Sequence, residues 1–309
     1  MTFLSNPPLI SIVTPCLNRE EYIAEAVESV LAQNYANFEH IIADGGSTDG
    51  TLAILKRYPH LKVTSEPDKN LYDALNKAIR LARGEIIGHL NSDDTYEPEV
   101  FPKIIDAFAR NPQATAVYGG ATIFVDAATG RRDTLQEIKG PEAQELSLSR
   151  ILFSTPIINA RFFLRRVYDQ LGLYDLRYRI SADKEFLIRA SLQKIPGARI
   201  DQVVYHYRQH GTSLTFRGMT QADLEAVAEH LAIAEDLLAR ASLSRQESRI
   251  FRDWHTQQTL VLFLHALRAM SIKELISATA RGLRYDGRWP LTFAVAGARR
   301  MLGLPDRFS

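Results

Sequence analysis

Short apolar runs alternate with amphipathic stretches in the first ninety residues of this chain. The runs are rich in β-branched residues, as buried strands are, and they predict strands over residues 9–14, 38–43, 61–65 and 85–90. The stretches repeat apolar residues at helical spacing and predict helices over residues 20–33, 51–58 and 71–82. Strand–helix alternation with short connections is typical of βαβ units. The sequence therefore predicts an α/β fold with a mostly parallel central sheet.

The pattern changes after residue 99. It predicts, in order, a helix over 99–110, a hairpin of 116–125 with 131–138, a strand over 156–164, a helix over 182–192 and a strand over 199–207. Beyond Met219 the periodicity is wholly helical, with a polar break near Ser242–Glu247. We expect a main domain over residues 1–215 and a helical region over 216–309. The helical region would serve packing, oligomer formation or contact with a membrane surface.

Polar segments follow four of the predicted strands. They are Pro15–Asn18, Asp44–Asp49, Glu66–Asp68 and Asn91–Asp94. Ligands of open α/β sheets bind beyond the carboxyl ends of the strands. We therefore expect these four segments to converge on one binding edge.

The segment "DGGSTDGT" that begins at Asp44 has the composition of a ligand-binding loop. Two glycines let a backbone approach a ligand closely, and the two hydroxyls before a helix start can bond to it. A carboxylate at Asp44 could accept from a base or a ribose. The same segment also suits an ordinary tight turn with a helix cap. The dinucleotide motif GxGxxG and the phosphate-binding motif GxxxxGK[ST] are both absent.

The adjacent pair Asp93-Asp94 also allows two interpretations. An Asp pair after a strand is commonly a solvated turn, but two carboxylates can also hold a hard divalent cation such as Mg²⁺ or Mn²⁺. Without a cation or solvent between them, the two charges repel. Its position on the same edge as the Asp44 loop favours a cation site.

Composition and charge exclude several classes. The formal net charge is +1, which gives no field for nucleic acid, and a single cysteine, Cys16, fits a reducing compartment. The start of the chain lacks a secretory signal, and no apolar run approaches 20 residues, so we expect a cytoplasmic protein. The segment Arg281–Ser309 is basic, with six Arg against two Asp. It would either contact anionic lipid at the inner face of the cell membrane or pack as a solvated helical cap.

Three segments carry a resemblance to a known family. "ISIVTPCLNREEYIAEAVESVLAQNYANFEHIIADGGSTDGT", "SEPDKNLYDALNKAIRLARGEIIGHLNSDD" and "ISADKEFLIRA" resemble the family-2 inverting glycosyltransferases of the GT-A fold. The resemblance runs from about Leu9 to about Ser213 and is strongest to bacterial members that build surface polysaccharides. It implies a GT-A domain that moves a sugar from a nucleoside diphosphate to an acceptor hydroxyl with the help of Mg²⁺ or Mn²⁺.

The resemblance also implies roles for single residues. The nucleotide would contact the loop of Thr14, Pro15, Asn18 and Glu20, the base would be bound by Asp44 with Gly45 and Ser47, and the diphosphate and donor sugar would border Asp68, Tyr72 and Asn76. Asp93 and Asp94 match the DXD-type pair of the family, with Asp94 as the direct metal ligand. His210 would lie near the diphosphate or metal, or serve a structural purpose. Asn91 stands where many relatives carry a further acid.

Inversion requires one base to take the proton of the acceptor hydroxyl. The resemblance places that base at Asp183, at the start of the helix predicted over 182–192, where the helix dipole favours an ionised carboxylate. A purely structural helix cap is the competing interpretation. Glu185 is the alternative carboxylate, but an offset of two residues turns it about 200° away.

Two other functions stay open at this level. A sugar nucleotidyltransferase would use a related sheet, although "PCLNREEY" after the first strand has no glycine. A non-catalytic nucleotide-sugar binding module would have lost its base or its metal pair. The donor base (UDP, dTDP or GDP), a saccharide or lipid-linked acceptor, and formation of a homo-oligomer are not decided by the sequence.

Overall fold

The computed structural model describes residues 4–5, 7–127, 131–139, 146–154, 157–211, 221–240, 242–287 and 289. The chain divides into two compact units, Met1–Ile151 with Thr155–Ser213 and Leu152–Ser154 with Leu214–Ser309. The boundary that the sequence predicts at residue 215 lies outside the described residues.

One sheet forms the centre of the first unit. Its strands are β1 (Ile10–Cys16), β2 (Phe38–Asp44), β3 (Leu61–Ser65), β4 (Ile86–His89), β5 (Thr95–Tyr96), β6 (Ala116–Asp126), β7 (Arg132–Ile138), β8 (Arg161–Leu164) and β9 (Gly197–Arg208). Their order is β3-β2-β1-β4-β8-β6-β9-β5, with β7 paired to β6. Among the described strands only β5, β7 and β8 run antiparallel to the others, which confirms the prediction of a mostly parallel sheet.

The helices lie close to their predicted positions. They are α1 (Ile23–Leu31), α2 (Thr51–Leu55), α3 (Leu71–Leu81), α4 (Val100–Arg110), α5 (Leu148–Phe153), α6 (Arg165–Leu171), α7 (Ala182–Leu192), α8 (Gln221–Ala239), α9 (Arg245–Arg268) and α10 (Ile272–Tyr285). The short elements α5, α6 and β5 were not predicted. The strand predicted over 156–164 is shorter, because a 3₁₀ turn over Ile158–Ala160 precedes β8. Pro156 lies outside the described residues.

The core beneath the binding edge is tightly packed. Phe162 of β8 lies directly over β4, where a Cβ on Gly88 would come within 2.6 Å of its ring. Ile12, Phe101 and Tyr205 are all fully buried in the same cluster. This packing fixes the carboxyl ends of β1, β4 and β9, which carry the polar residues described below.

The second unit contains α8, α9 and α10. The polar break predicted near Ser242–Glu247 is the start of α9, where Ser244 and Glu247 form a capping box. α10 packs on α9. Gly282 of α10 gives room to Trp289, because a Cβ there would come within 2.4 Å of Trp289 Nε1. Within the described part of the chain, no helix has both the length and the apolar content to cross a membrane.

Candidate active site

Two of the four polar segments predicted to converge, those after β1 and β2, are joined by hydrogen bonds. Asn18, in the left-handed region at φ 51°, accepts from the Thr48 amide at 2.9 Å, and its own amide donates to Ser47 Oγ at 2.8 Å. Asparagine tolerates this conformation better than most residues. The loops after β1 and β2 are thereby fixed to each other.

Asp44 organises the glycine-containing loop. It is 1% exposed, and Oδ2 accepts from the amides of Gly46 and Ser47 at 3.1 and 3.0 Å and from Ser65 Oγ at 2.6 Å. Its Oδ1 accepts from the Ser47 hydroxyl. Both oxygens are thus engaged, so a nucleobase donor would share Oδ1 with Ser47.

Gly45 allows the loops after β2 and β3 to approach. A Cβ at this position would lie 3.0 Å from Asp68 Oδ2. Asp68 in turn pairs with Lys77 Nζ at 2.7 Å, and hydrogen bonds to Asp68 and Glu66 raise the pKa of Lys77. The ammonium of Lys77, which sequence reasoning missed, is therefore held beside the expected phosphate site.

Asp93 and Asp94 have different surroundings. Asp94 is 1% exposed and accepts from Tyr205 OH at 2.5 Å, from the Arg208 amide at 2.7 Å and from Asn91 Nδ2 at 3.0 Å. Burial, and then the charge of Asp93, raise the pKa of Asp94 well above its usual range. Asn91 thus serves as a hydrogen-bond donor to Asp94.

Asp93 is the more accessible member of the pair. Its Oδ2 lies 2.9 Å from His210 Nε2 and 3.6 Å from Arg19 Nε. The imidazole of His210 stacks on the Tyr22 ring with centroids 4.9 Å apart. No group of three or more Asp, Glu, His or Cys suited to a metal ion occurs within the described ranges. Asp93 and His210 are nevertheless adjacent, and Asp94 follows Asp93 in the chain.

Arg208 contacts the backbone of Asp93. It is 4% exposed, donates from Nε to the Asp93 carbonyl oxygen at 2.8 Å, and forms ion pairs with Glu25 and Asp126. The guanidinium also lies 5.1 Å from the centroid of the Tyr22 ring. These contacts make Arg208 a positioning residue rather than a free phosphate ligand.

Asp183 lies at the start of α7, as predicted. Its Oδ1 accepts from the Lys184 amide at 2.8 Å and lies 3.0 Å from the Tyr72 hydroxyl. Burial raises the pKa of Asp183. Glu185 pairs with Arg189 Nε at 2.9 Å and is thus part of a structural ion pair. Of the two candidate bases, Asp183 is the one that contacts a residue expected to border the donor, Tyr72 of α3.

Three residues expected to contact the nucleotide or donor sugar have hydrogen-bond partners within the protein. Thr14 is fully buried, and Oγ1 lies 2.9 Å from His40 Nε2 in the core. Asn76 is 2% exposed. Its Nδ2 donates to the Tyr174 carbonyl oxygen, and its Oδ1 accepts from the Tyr174 amide. Glu20 accepts from the Gly50 amide at 2.6 Å and so braces the start of α2. Each of these side chains therefore has a partner within the protein. Their contact with a nucleotide or donor sugar stays a prediction.

Pro15 remains within β1 opposite Ala43. At this point β1 has passed the end of its pairing with β4, so the missing amide of proline interrupts no bond on that side. Any contact of Pro15 with a nucleotide would be through its ring or its carbonyl group.

The chain is similar in sequence and in fold to known proteins. The model of glycosyl transferase family 2 matches residues 11–172. A PGL/p-HBAD biosynthesis glycosyltransferase of Mycobacterium bovis is 31% identical over 189 residues, which cover 59% of this chain and 69% of the relative.

Two solved structures share the fold. S. aureus TarS 1–349 in complex with UDP-GlcNAc superposes with a TM-score of 0.65 at 18% identity, covering 91% of this chain and 80% of that one. In a second crystal structure of S. aureus TarS, the similarity covers 54% of the length of the TarS chain. Mannosyltransferase PcManGT from Pyrobaculum calidifontis, in complex with GDP-Man and Mn²⁺, gives a TM-score of 0.58 at 16% identity, with coverages of 93% and 83%. This likeness confirms the predicted GT-A-type α/β fold.

The family model covers more than half of the chain, and the motifs that it spans are those that form the binding edge. The protein is therefore a glycosyltransferase that belongs to glycosyl transferase family 2.

Proposed function

We propose that the protein transfers a sugar from a nucleoside-diphosphate sugar to an acceptor hydroxyl, with inversion, in polysaccharide or glycolipid synthesis. The named relative in PGL/p-HBAD biosynthesis and the complexes with UDP-GlcNAc and GDP-Man support this substrate class. The observation that carries the proposal is the link between the Asp93–His210 pair and the glycine loop. Arg19 forms it, with its amide bonded to Thr51 Oγ1 at 2.7 Å and its Nε 3.6 Å from Asp93.

The donor would bind over the loops after β1, β2 and β3. Asp44 bonds to the loop after β2, where the nucleobase would bind. Asn18 joins that loop to the loop after β1. Arg19 and Lys77 bring positive charge to the place where the diphosphate would lie. Cations there stabilise a diphosphate both before and after it leaves the sugar.

The donor set fits a divalent cation. Asp93 supplies a carboxylate oxygen and His210 an imidazole nitrogen, 2.9 Å apart. Two protein ligands suffice for a cation that takes its remaining ligands from phosphate and water, and an imidazole favours Mn²⁺ over Mg²⁺. Asp94 would act through Asp93 rather than as the first ligand, since its carboxylate is already enclosed. When bound, the cation neutralises charge on the leaving diphosphate.

Asp183 would be the general base. The acceptor oxygen forms a bond to the anomeric carbon, the bond from that carbon to the diphosphate breaks, and the hydroxyl proton passes to the Asp183 carboxylate. Burial raises the proton affinity of this carboxylate, which suits a base that works near neutral pH. A carboxylate held by Tyr72 and the Lys184 amide is also fixed in orientation.

Two measurements test the proposal. Thermal unfolding is followed with UDP, dTDP and GDP, each with and without Mn²⁺, and we expect one nucleotide to stabilise the protein more when Mn²⁺ is present. With the corresponding sugar donor and an acceptor hydroxyl, the product should be the nucleoside diphosphate. Release of pyrophosphate would instead indicate a nucleotidyltransferase, and nucleotide binding without turnover would indicate a binding module.

A further inference from the structure

Exposed apolar side chains are concentrated in one stretch of the second unit. Among the described residues ten large hydrophobic side chains are exposed, and five of them lie between residues 267 and 283: Leu267, Met270, Ile272, Ile276 and Leu283. Met270, Ile272 and Ile276 are 85%, 73% and 65% exposed. Isolated exposed hydrophobic residues are ordinary on protein surfaces, but a contiguous group indicates contact with a partner or a membrane.

Three of these residues form a stripe along α10. At about 100° per residue, Ile272, Ile276 and Leu283 fall within about 40° of one another on the helix. We call them the α10 stripe. Other sides of the helix already have their partners, because Ala278 and Gly282 are buried and Arg281 pairs with Glu235 at 2.6 Å. The stripe is therefore not the face by which α10 packs in its own unit.

Basic residues border the stripe. Lys273 and Arg284 are exposed and lie about 100° and 120° around the helix from Ile272, along the same edge of the stripe. Arg268, at the end of α9, is exposed beside Met270 in sequence, and Glu274 is the exposed acid within α10. The exposed charged residues of this stretch are thus mostly basic, and they lie next to an apolar surface. This combination is typical of helices that lie in the headgroup region of an anionic bilayer.

We propose that the α10 stripe, with Met270 and its basic border, is a docking surface for an anionic lipid bilayer. The aliphatic side chains would enter the boundary between headgroups and acyl chains, while Arg268, Lys273 and Arg284 meet the lipid phosphates. Lipid phosphates account for both features of the surface, whereas an apolar protein partner would leave the three cations without a complement. The surface goes beyond the proposed sugar transfer, since it involves no residue of the active site. It overlaps the predicted contact through Arg281–Ser309 at Leu283 and Arg284 and adds Arg268, Met270, Ile272, Lys273 and Ile276. Within that basic segment, Arg288 and residues 290–309 lie outside the described residues.

Vesicle flotation of the full chain tests this surface without any donor or acceptor, so failure of the proposed sugar transfer would leave the result unaffected. The probe is phosphatidylglycerol mixed equally with phosphatidylcholine, compared with phosphatidylcholine alone. We expect at least about tenfold stronger partitioning onto the anionic vesicles at low salt, because each basic residue near a charged surface adds to the attraction. The double variant Ile272→Asp/Ile276→Asp should lower that partitioning about tenfold or more. The matched control Leu81→Asp/Leu135→Asp, which alters side chains 47% and 54% exposed in the first unit, should behave as wild type.

A second variant separates the electrostatic part from the apolar part. Arg268→Glu/Lys273→Glu/Arg284→Glu keeps the stripe and should lose the preference for anionic over neutral vesicles. Each variant is first checked by circular dichroism for wild-type helix content and a single thermal transition. Equal partitioning of wild type and the Ile272→Asp/Ile276→Asp variant would overturn the proposal. So would a lipid-free dimer of the wild type that this variant dissociates, because the stripe would then be an interface between two copies of the chain.

Discussion

The Tyr72 hydroxyl lies 3.0 Å from Asp183 Oδ1 and 2.7 Å from the carbonyl oxygen of Ile180. A phenol has one proton to donate, so it cannot serve both acceptors at once. When Asp183 is ionised, Tyr72 can donate to it. When Asp183 is protonated, the carboxyl can donate to the phenol oxygen while Tyr72 donates to Ile180. Tyr72 is thus suited to follow the protonation state of the proposed base.

The substitution Tyr72→Phe should shift the pH dependence of transfer. The hydrogen bond from Tyr72 lowers the pKa of Asp183, opposing the larger effect of burial, so its removal raises that pKa further. Because the base must be ionised to accept a proton, the acid limb of the kcat profile should move to higher pH. We expect activity several-fold below wild type on the acid side and closer to wild type at alkaline pH.

The control for this experiment is Tyr35→Phe, which removes a hydroxyl bonded to the Pro8 carbonyl oxygen just before β1. Its pH profile should match that of the wild type. A uniform loss of activity in Tyr72→Phe at every pH would contradict the prediction, since it would indicate a packing role only.

Asp183→Asn should abolish transfer while leaving donor binding intact. General-base catalysis contributes about 10²- to 10⁴-fold, so we expect a fall in kcat of at least about a hundredfold. The dissociation constant of the nucleoside diphosphate, measured by calorimetry, should change little. Glu185→Gln is the matched control on the same helix, because Glu185 only pairs with Arg189. If both variants kept wild-type turnover, Asp183 would be a helix cap and not the base.

Much of the fold could be predicted because the pattern of the parallel half is local. The alternation of apolar and polar positions specifies β1 to β4 and the helices between them. By contrast, β5 has only two residues, Thr95 and Tyr96, and exists because it pairs with His206 and Tyr205 of β9. Such a long-range pairing leaves no local signal. The 3₁₀ turn before β8 was missed for the same reason, since an apolar run predicts burial but not the backbone conformation.

The candidate site shows the same division between local and long-range information. Motif position predicted that Asp44, Asp93 and Asp183 belong to one site, because strand ends and helix starts are recognisable in sequence. It did not predict which polar atoms form hydrogen bonds within the protein. Thr14 and Asn76 have suitable positions, but their partners, His40 and Tyr174, are distant in the chain. Lys77 was missed because a single lysine on a helix surface has no signal apart from its partner Asp68.

His210→Gln should reduce the dependence of nucleotide binding on Mn²⁺. With the imidazole lost, Asp93 alone would supply the first protein ligand, and the extra thermal stabilisation that Mn²⁺ gives with the nucleoside diphosphate should fall by half or more. His206→Gln is a close control, because His206 lies four residues earlier, in β9, and pairs with Glu97 at 2.6 Å. If Mn²⁺ gave the same extra thermal stabilisation in His210→Gln as in His206→Gln, His210 would not be a ligand of the cation.

Gly45→Ala should weaken donor binding by bringing a Cβ to 3.0 Å from Asp68 Oδ2. The methyl group would push Asp68 and its partner Lys77 away from the loop, at a cost of about 1 kcal/mol, or roughly five- to tenfold in affinity. Gly287→Ala provides the control, since nothing lies within 4 Å of a Cβ there. Isothermal titration with the preferred nucleoside diphosphate measures the difference. Unchanged affinity in Gly45→Ala would show that the loop does not rely on this close approach.

Two buried histidines should make the protein sensitive to mild acid. His89 lies at the end of β4, with Nε2 3.0 Å from Tyr168 OH and Nδ1 3.1 Å from Tyr174 OH, and burial lowers its pKa to about 3. Burial likewise lowers the pKa of His40 to about 3. The unfolded chain binds protons on both below about pH 6.5, whereas the folded protein does not. Stability is therefore complete above pH 6.5 and falls as the pH decreases towards 3, by up to about 1.4 kcal/mol per pH unit for each histidine.

Urea unfolding between pH 4.5 and 7 measures this slope, and His89→Gln isolates the part due to one residue. The variant should be less stable than wild type at pH 7, because a glutamine does not reproduce both tyrosine contacts of the imidazole. Its stability should nevertheless fall less steeply with acid, by about 1.4 kcal/mol per pH unit. His265→Gln, at a partly exposed position on α9, should leave the wild-type slope unchanged. Parallel curves for wild type and His89→Gln would mean that His89 takes up its proton without unfolding, and the network with Tyr168 and Tyr174 would then have to accommodate a charged imidazole.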